Sequence, residues 1–140
     1  MNEPPRKLFR LFLDANVLVS VAWKENSKVA RLWEISDAEL VTSNYVLAEC
    51  KRNLPLKEQQ DRLDRFLVSV RVLAFQKMPV LENPPLLAEK DQHVLAAAVL
   101  ARADFLVTGD RNHFGAWYGT AISGIRVEPP WRFPLVLEEA

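Results

Sequence analysis

Two short apolar segments of this 140-residue chain each lead into an aspartate. Residues 8–13 run directly into Asp14, and residues 105–108 are followed by Gly109 and Asp110. Short apolar runs that are bounded by turn residues are typical of buried strands. In an open α/β sheet the ligand crevice lies beyond the carboxyl ends of the strands, so both acids are predicted to stand at that edge.

Strand-like and helix-like patterns alternate along the rest of the chain. The alternation predicts an α/β fold, a three-layer sandwich in which helices flank a central, mostly parallel sheet of four or five strands. The length suits one domain, with its core over about residues 8–127 and a Pro-rich C-terminal tail over 128–140. Strands are predicted over 7–13, 39–42, 70–75, 105–108 and 125–127, and helices over 16–21, 27–35, 44–54, 57–69 and 86–103.

The composition excludes several classes of protein. Eighteen Lys and Arg balance eighteen Asp and Glu, so nucleic-acid binding would have to use a local basic patch. The single cysteine, Cys50, excludes an internal disulfide and a thiolate metal cage, and we interpret it as a packed apolar group. No apolar run reaches membrane-spanning length and the first residues lack a signal layout, so we expect a cytoplasmic protein without membrane contact.

Two further acids fall inside predicted helices. Asp91 begins an apolar stripe that continues at i+3, i+4 and i+7 with Val94, Leu95 and Ala98. Glu49 lies in the helix predicted over residues 44–54. Acids are rarely taken into an interior unless a cation pairs with them, so their positions need an explanation.

Each of the four acids has an ordinary structural explanation when it is taken alone. Asp14 can cap a helix, and Glu49 can face solvent. Asp91 can interact favourably with the dipole at the start of its helix, and Asp110 can belong to a turn. If the fold gathers them, their mutual repulsion raises at least one pKa unless a cation lies between them. Oxygen ligands without cysteine favour Mg²⁺ or Mn²⁺ over zinc. Such an ion activates water and stabilises charge on a phosphodiester oxygen.

The motifs around these acids resemble those of the PIN-domain nucleases. The resemblance covers about residues 8–127 and is strongest with the small single-domain toxin components of toxin–antitoxin pairs (VapC-like). It implies a metal-dependent RNA-cleaving site, frequent homodimerisation and an antitoxin protein that occludes the site. The matching segments are LDANVL (13–18), VLAE (46–49), KDQHVLAAA (90–98) and ADFLVTGD (103–110).

The resemblance also assigns roles to individual residues. Asn16 and Thr108 would be polar supports, and Asn112 stands where many relatives carry a further acid, which leaves occupancy by a second metal ion open. Among the basic residues near the motifs, Arg52 and Arg111 are the candidates for positioning RNA. The implied metal ligands and catalytic acids are Asp14, Glu49, Asp91 and Asp110.

Two other readings stay open at this stage. The chain could be a non-catalytic PIN-like module that binds RNA or a protein, or a metal-dependent phosphohydrolase acting on small phosphates. The second reading usually shows an Asp-x-Asp pair, whereas Asp14 is followed two residues later by Asn16. We interpret His93 and His113 as packing or surface residues, because metal-assisted hydrolysis needs no histidine, and the four tryptophans as core or partner contacts.

Overall fold

The structure, a computed structural model, describes residues 8–140. Residue 7, the first of the predicted N-terminal strand, and the tail before it lie outside the described residues. Six strands and six α-helices are found in the described part, together with 3₁₀-helices at Lys28–Glu34, Gly115–Trp117 and Pro130–Arg132. The strands are β1 (Phe9–Leu13), β2 (Ala38–Ser43), β3 (Val70–Leu73), β4 (Phe105–Val107), β5 (Ala121–Ile122) and β6 (Ile125–Glu128). The helices are α1 (Ala15–Trp23), α2 (Asn44–Arg52), α3 (Lys57–Leu67), α4 (Glu89–Leu100), α5 (Arg111–Phe114) and α6 (Leu135–Glu138).

The strands form one sheet in the order β3-β2-β1-β4-β6-β5. All neighbouring strands are parallel except β5, which pairs antiparallel with β6. The predicted α/β fold with a mostly parallel sheet is confirmed, with six strands in place of four or five. The additional strand, β5, has only two residues, which is too short to leave an alternating pattern in the sequence.

The topology places the candidate acids at one edge of the sheet. β1 is central and pairs with β4, so that Leu13 lies opposite Val107. The chain order reverses on the two sides of β1, because β2 and β3 lie on one side and β4 and β6 on the other. Such a reversal is where the crevice of a parallel sheet opens, and Asp14 follows β1 at this point.

The core is built where the sequence predicts apolar faces. Leu11, Phe12 and Leu13 of β1 are fully buried, as are Leu106 and Val107 of β4. On α4 the predicted stripe faces the core, since Val94, Leu95 and Ala98 are all buried. No helix within residues 8–140 is both long and apolar enough to cross a bilayer.

The Pro-rich C-terminal segment packs against the sheet. Phe133, Val136 and Leu137 are buried, and the ring of Phe133 meets that of Phe105 edge-to-face at 5.5 Å. The carboxylate of Glu128 is fully buried and paired with the guanidinium groups of Arg126 and Arg132, at 2.6 and 3.4 Å. Residues 128–140 are therefore part of the packed structure.

Helix boundaries differ from the predicted ones by a few residues. The helix predicted over 86–103 begins at Glu89 and ends at Leu100. The segment predicted as a helix over 27–35 is a 3₁₀-helix, Lys28–Glu34, and Ser27 caps it as predicted by accepting a bond from the Val29 amide at 3.4 Å. The first difference is an end effect that local patterns resolve poorly, whereas the second concerns the type of helix, which apolar spacing does not distinguish over two turns.

Candidate metal centre

Asp14 is held at the end of β1 by three donors. One carboxylate oxygen accepts from the Ala15 amide at 2.8 Å and so caps α1. The other oxygen accepts from the Thr108 hydroxyl at 2.9 Å and from the Asn16 amide group at 3.1 Å. Asp14 is only 6% exposed. It therefore caps a helix, as an isolated turn acid would, and also presents a buried negative charge to this edge of the sheet.

The two polar supports tie the end of β1 to the end of β4. The side-chain oxygen of Asn16 accepts from the Gly109 amide at 2.7 Å, and its nitrogen donates to the Thr108 hydroxyl oxygen at 3.1 Å. The same hydroxyl oxygen accepts from the Asp110 amide at 3.2 Å. A β-carbon on Gly109 would stand only 3.3 Å from the Asn16 oxygen, so the glycine permits this close approach. Both residues that the sequence analysis predicts as supports thus contact Asp14 directly.

Asp91, Asp110 and His113 bring three potential metal-ligand side chains together in the described part of the chain. One potential ligand atom from each lies within 4.8 Å of the other two. Nδ1 of His113 lies 2.6 Å from Asp91 and 3.6 Å from Asp110, and it donates to Asp91 because a carboxylate only accepts. Asp91 is 5% exposed, whereas Asp110 and His113 are more open. The group therefore joins α4 to α5.

Glu49 is paired with a lysine. Its carboxylate accepts a hydrogen bond from the ammonium group of Lys90, which precedes Asp91 at the start of α4. This bond raises the pKa of Lys90, and the negative charges of Glu49, Asp14 and Asp91 add to the effect, against the opposing effect of partial burial. An internal cation therefore stands among the candidate acids.

All four predicted acids line one cleft of about 540 Å³. Burial raises the pKa of Asp14 from 3.8 to about 6, and repulsion by Glu49 and Asp91 acts in the same direction. The bonds from Thr108 and Ala15 oppose this rise without cancelling it. The negative charges thus interact across the cleft, although Asp14 and Glu49 lie outside the compact group of Asp91, Asp110 and His113.

The residues of the cleft fit a hard divalent cation. Asp14 is buried and ionisable, and among residues 8–140 no lysine, arginine or histidine forms an ion pair with it. Carboxylate oxygens are the ligands that Mg²⁺ and Mn²⁺ take in proteins, and a cation would offset the burial and the weaker repulsion that together raise the pKa of Asp14.

The remaining predicted site residues lie outside the cleft. Asn112 is exposed on α5. Arg52 lines a second, more apolar cavity of about 570 Å³ between α2 and α4, which shares Glu49 and Lys90 with the cleft. Arg111 follows Asp110, and its guanidinium lies over the ring of Trp131. Their roles in RNA binding stay predictions.

The interpretation of Cys50 as packed agrees with its environment. Its side chain is fully buried, and burial raises the pKa of the thiol to about 12, with a further contribution from Glu49. A thiol in this state is a poor nucleophile at neutral pH.

Sequence analysis missed the pairing partners of the site. The sequence analysis assigns no role to Lys90 and interprets His113 as a packing or surface residue, yet they contact Glu49 and Asp91. A weak signal existed for His113, which stands three residues after Asp110 and so on the same face of a short helix. The other histidine, His93, lies elsewhere, with Nδ1 2.8 Å from the carbonyl oxygen of Pro79.

Comparison with known proteins finds a matching family model and solved structures of similar fold. A family model described as "PIN domain" matches residues 10–112. The fold is similar to the structure of VapBC2 from Rickettsia felis bound to a DNA fragment from their promoter, with a TM-score of 0.60 and 16% sequence identity, over 86% of this chain and 98% of that one. At this identity the likeness shows a shared fold. No curated protein matches the sequence.

Proposed function

Because the chain belongs to the PIN domain family, we propose that it is a Mg²⁺- or Mn²⁺-dependent endoribonuclease that hydrolyses RNA phosphodiester bonds. The proposal assigns the catalytic acids and metal ligands to Asp14, Glu49, Asp91 and Asp110. The observation that carries it is Asp14, a buried carboxylate with a raised pKa and no cationic partner among residues 8–140, in a cleft that contains three more acids. A side chain in this state is a candidate functional group.

The chain's own residues would prepare the cleft for a cation and a phosphate. When bound, the cation supplies an activated water and stabilises charge that builds up on the phosphate oxygens. Thr108 and Asn16 hold the Asp14 carboxylate in one orientation. Lys90 is a positive group that can turn from Glu49 to a phosphate oxygen, since about two thirds of its side chain is exposed. His113 keeps Asp91 in place through its Nδ1 donor.

The fold also supports a place for the protein in a toxin–antitoxin pair. The similar structure is that of VapBC2 from Rickettsia felis, with bound DNA. We therefore propose that the chain is the ribonuclease toxin of such a pair, active in the cytoplasm. Its partners would be an RNA substrate, an antitoxin protein that occludes the cleft, and a second copy of the chain in a homodimer.

One structural observation favours a second candidate, a non-catalytic PIN-like module. Glu49 and Asp91 each have a hydrogen-bonding partner within the chain, Lys90 and His113, and position 112 is an uncharged asparagine. Such pairs reduce the need for a metal ion at these two acids. The two candidates differ in one measurable property, since a bare module neither binds Mn²⁺ at the cleft nor cleaves RNA.

Cleavage of end-labelled single-stranded RNA tests the proposal. Wild-type protein is incubated with Mn²⁺, with Mg²⁺ or with EDTA, beside Asp14→Asn and the matched control Asp64→Asn, which removes an exposed aspartate on α3. We expect metal-dependent cleavage by wild type and by Asp64→Asn, and none by Asp14→Asn. Calorimetry with Mn²⁺ should follow the same pattern. Wild-type protein that neither binds Mn²⁺ nor cleaves RNA would support the non-catalytic module.

A further inference from the structure

We infer that Arg111 and Trp131 form a preassembled subsite that binds one nucleotide of single-stranded RNA by stacking its base beside the acidic cleft. The inference rests on the proposed function, because it names how the RNA substrate is held there. Arg111 would contact the nucleotide, and Trp131 would act as a positioning residue beneath the guanidinium.

The guanidinium of Arg111 lies over the ring of Trp131, and we call these two side chains the stacked layer. The guanidinium carbon of Arg111 lies 4.6 Å from the centre of the Trp131 ring. Tyr118 meets the same indole edge-to-face, with ring centres 5.9 Å apart and an angle of 89° between the planes. A guanidinium that covers an aromatic face on one side leaves its other face for a second planar group.

This layer is anchored to the candidate metal centre. Arg111 directly follows Asp110, which lines the cleft. The Tyr118 hydroxyl donates to the carbonyl oxygen of Thr108 at 2.8 Å, and the Thr108 hydroxyl donates to Asp14 at 2.9 Å. A short chain of contacts therefore connects the indole to the buried acid, which places the layer within reach of an RNA strand that crosses the cleft.

The guanidinium of Arg111 lies on Trp131 and is not neutralised by an acid in the described part of the chain. No carboxylate among residues 8–140 forms an ion pair with Arg111, whereas Arg126 and Arg132 are both paired with Glu128 and Glu139. The side chain of Arg111 is exposed, and Trp131 is 55% exposed. Beside four acids that repel a phosphate backbone, an unpaired guanidinium is the group that attracts it.

The stacking of Arg111 on Trp131, the exposure of both side chains and the absence of an ion pair at Arg111 among residues 8–140 favour nucleotide binding over a purely structural contact. Bases in single-stranded RNA are splayed out and stack on aromatic rings and on arginine planes. The Arg111 plane offers that stacking face, and its free N–H groups can donate to the adjoining phosphate. A structural aromatic contact would be served by a buried tryptophan, whereas this one presents more than half of its surface to solvent.

Fluorescence polarisation with labelled single-stranded RNA tests the inference. All proteins carry Asp14→Asn, so that the RNA stays intact, and the added variants are Trp131→Ala, Trp131→Phe and Arg111→Lys. The matched control is Arg65→Lys, an exposed arginine on α3. We expect Trp131→Ala to weaken binding by about tenfold, Trp131→Phe to retain most of the affinity, and Arg111→Lys to weaken it although the charge is kept.

A second RNA, with single abasic positions, identifies the stacking contact. At one position, removal of the base should weaken RNA binding to the Asp14→Asn parent. Removal of the same base should not weaken RNA binding to the Trp131→Ala variant any further. If Trp131→Ala and Arg111→Lys bind RNA as tightly as the parent, the subsite is wrong, and the pair belongs to a different partner. In that case metal-dependent RNA cleavage by the wild-type protein would leave the proposed function standing. Absence of both binding and wild-type cleavage would contradict both.

Discussion

Replacing Asp14 with asparagine should stabilise the metal-free protein at neutral pH. The pKa of Asp14 is raised from 3.8 to about 6, chiefly by burial. At about 1.4 kcal/mol for each pKa unit, keeping this group ionised in the folded state costs about 3 kcal/mol. Asparagine removes the charge, but its amide nitrogen faces the donors of Thr108 and Asn16. The loss of these two hydrogen bonds offsets about 1–2 kcal/mol, which leaves a net gain of about 1–2 kcal/mol.

The sign of this effect fixes its pH dependence. Below pH 3.8 Asp14 is protonated in both the folded and the unfolded chain, so the wild type bears no penalty from it. As the pH rises through about 6, the folded protein must carry the buried charge. The free energy of unfolding of the wild type then loses the contribution that neutral Asp14 makes at low pH. The stability difference between Asp14→Asn and wild type should therefore grow in favour of the variant between pH 4 and pH 7.5.

Urea unfolding in EDTA at pH 4.5 and pH 7.5 measures this difference. Asp64→Asn is the control, because its exposed carboxylate should give no comparable change with pH. Millimolar Mn²⁺ should then raise the stability of the wild type at pH 7.5 and leave Asp14→Asn nearly unchanged, since a ligand stabilises only a folded state that binds it. A stability difference that is the same at both pH values would refute the argument from the buried charge.

Two further predictions follow from the ion pairs. Glu49→Gln should weaken Mn²⁺ binding, which calorimetry measures. It should also return the pKa of Lys90 towards its ordinary value, which NMR titration of the ammonium group measures. Unchanged Mn²⁺ affinity would remove Glu49 from the ligand set. Glu128→Gln should destabilise the fold by about 2–4 kcal/mol in urea unfolding, because Arg126 and Arg132 lose a fully buried partner, while RNA cleavage by the remaining folded protein should persist. A loss below about 0.5 kcal/mol would contradict that account of Glu128.

The parts of the fold that sequence reasoning predicted are those with local signals. The strands that end at Asp14 and before Asp110 are short apolar runs with a turn residue or an acid after them, and both occur as β1 and β4. The stripe from Asp91 to Ala98 follows from helical spacing and is buried as predicted. The parallel order of the strands follows from their alternation with helices. The positions of single strands and of the helical stripe need only neighbouring residues, whereas the parallel order needs the succession of elements along the chain.

The parts that sequence reasoning missed depend on packing between distant segments. Whether Lys90 reaches Glu49 is set by how α2 packs near α4, and no local pattern records this. The bond from His113 to Asp91 spans 22 residues, and the stack of Arg111 on Trp131 joins α5 to a segment beyond β6. For the same reason the sequence did not predict that Lys90 and His113 contact the acids that line the cleft, and the roles of these acids as ligands stay predictions.

The bonds that join Asp14 and Asn16 to Thr108 and Gly109 bridge 92 to 94 positions of the polypeptide. A nascent chain on the ribosome would already contain Asp14, Glu49 and Asp91 before β4 is synthesised, but it would lack the strand that completes their surroundings. Fragments that stop short of β4 should consequently be harmless to cellular RNA if the proposed activity is correct. The cleft is therefore complete only after β4 has been added, although three of its four acids are made earlier.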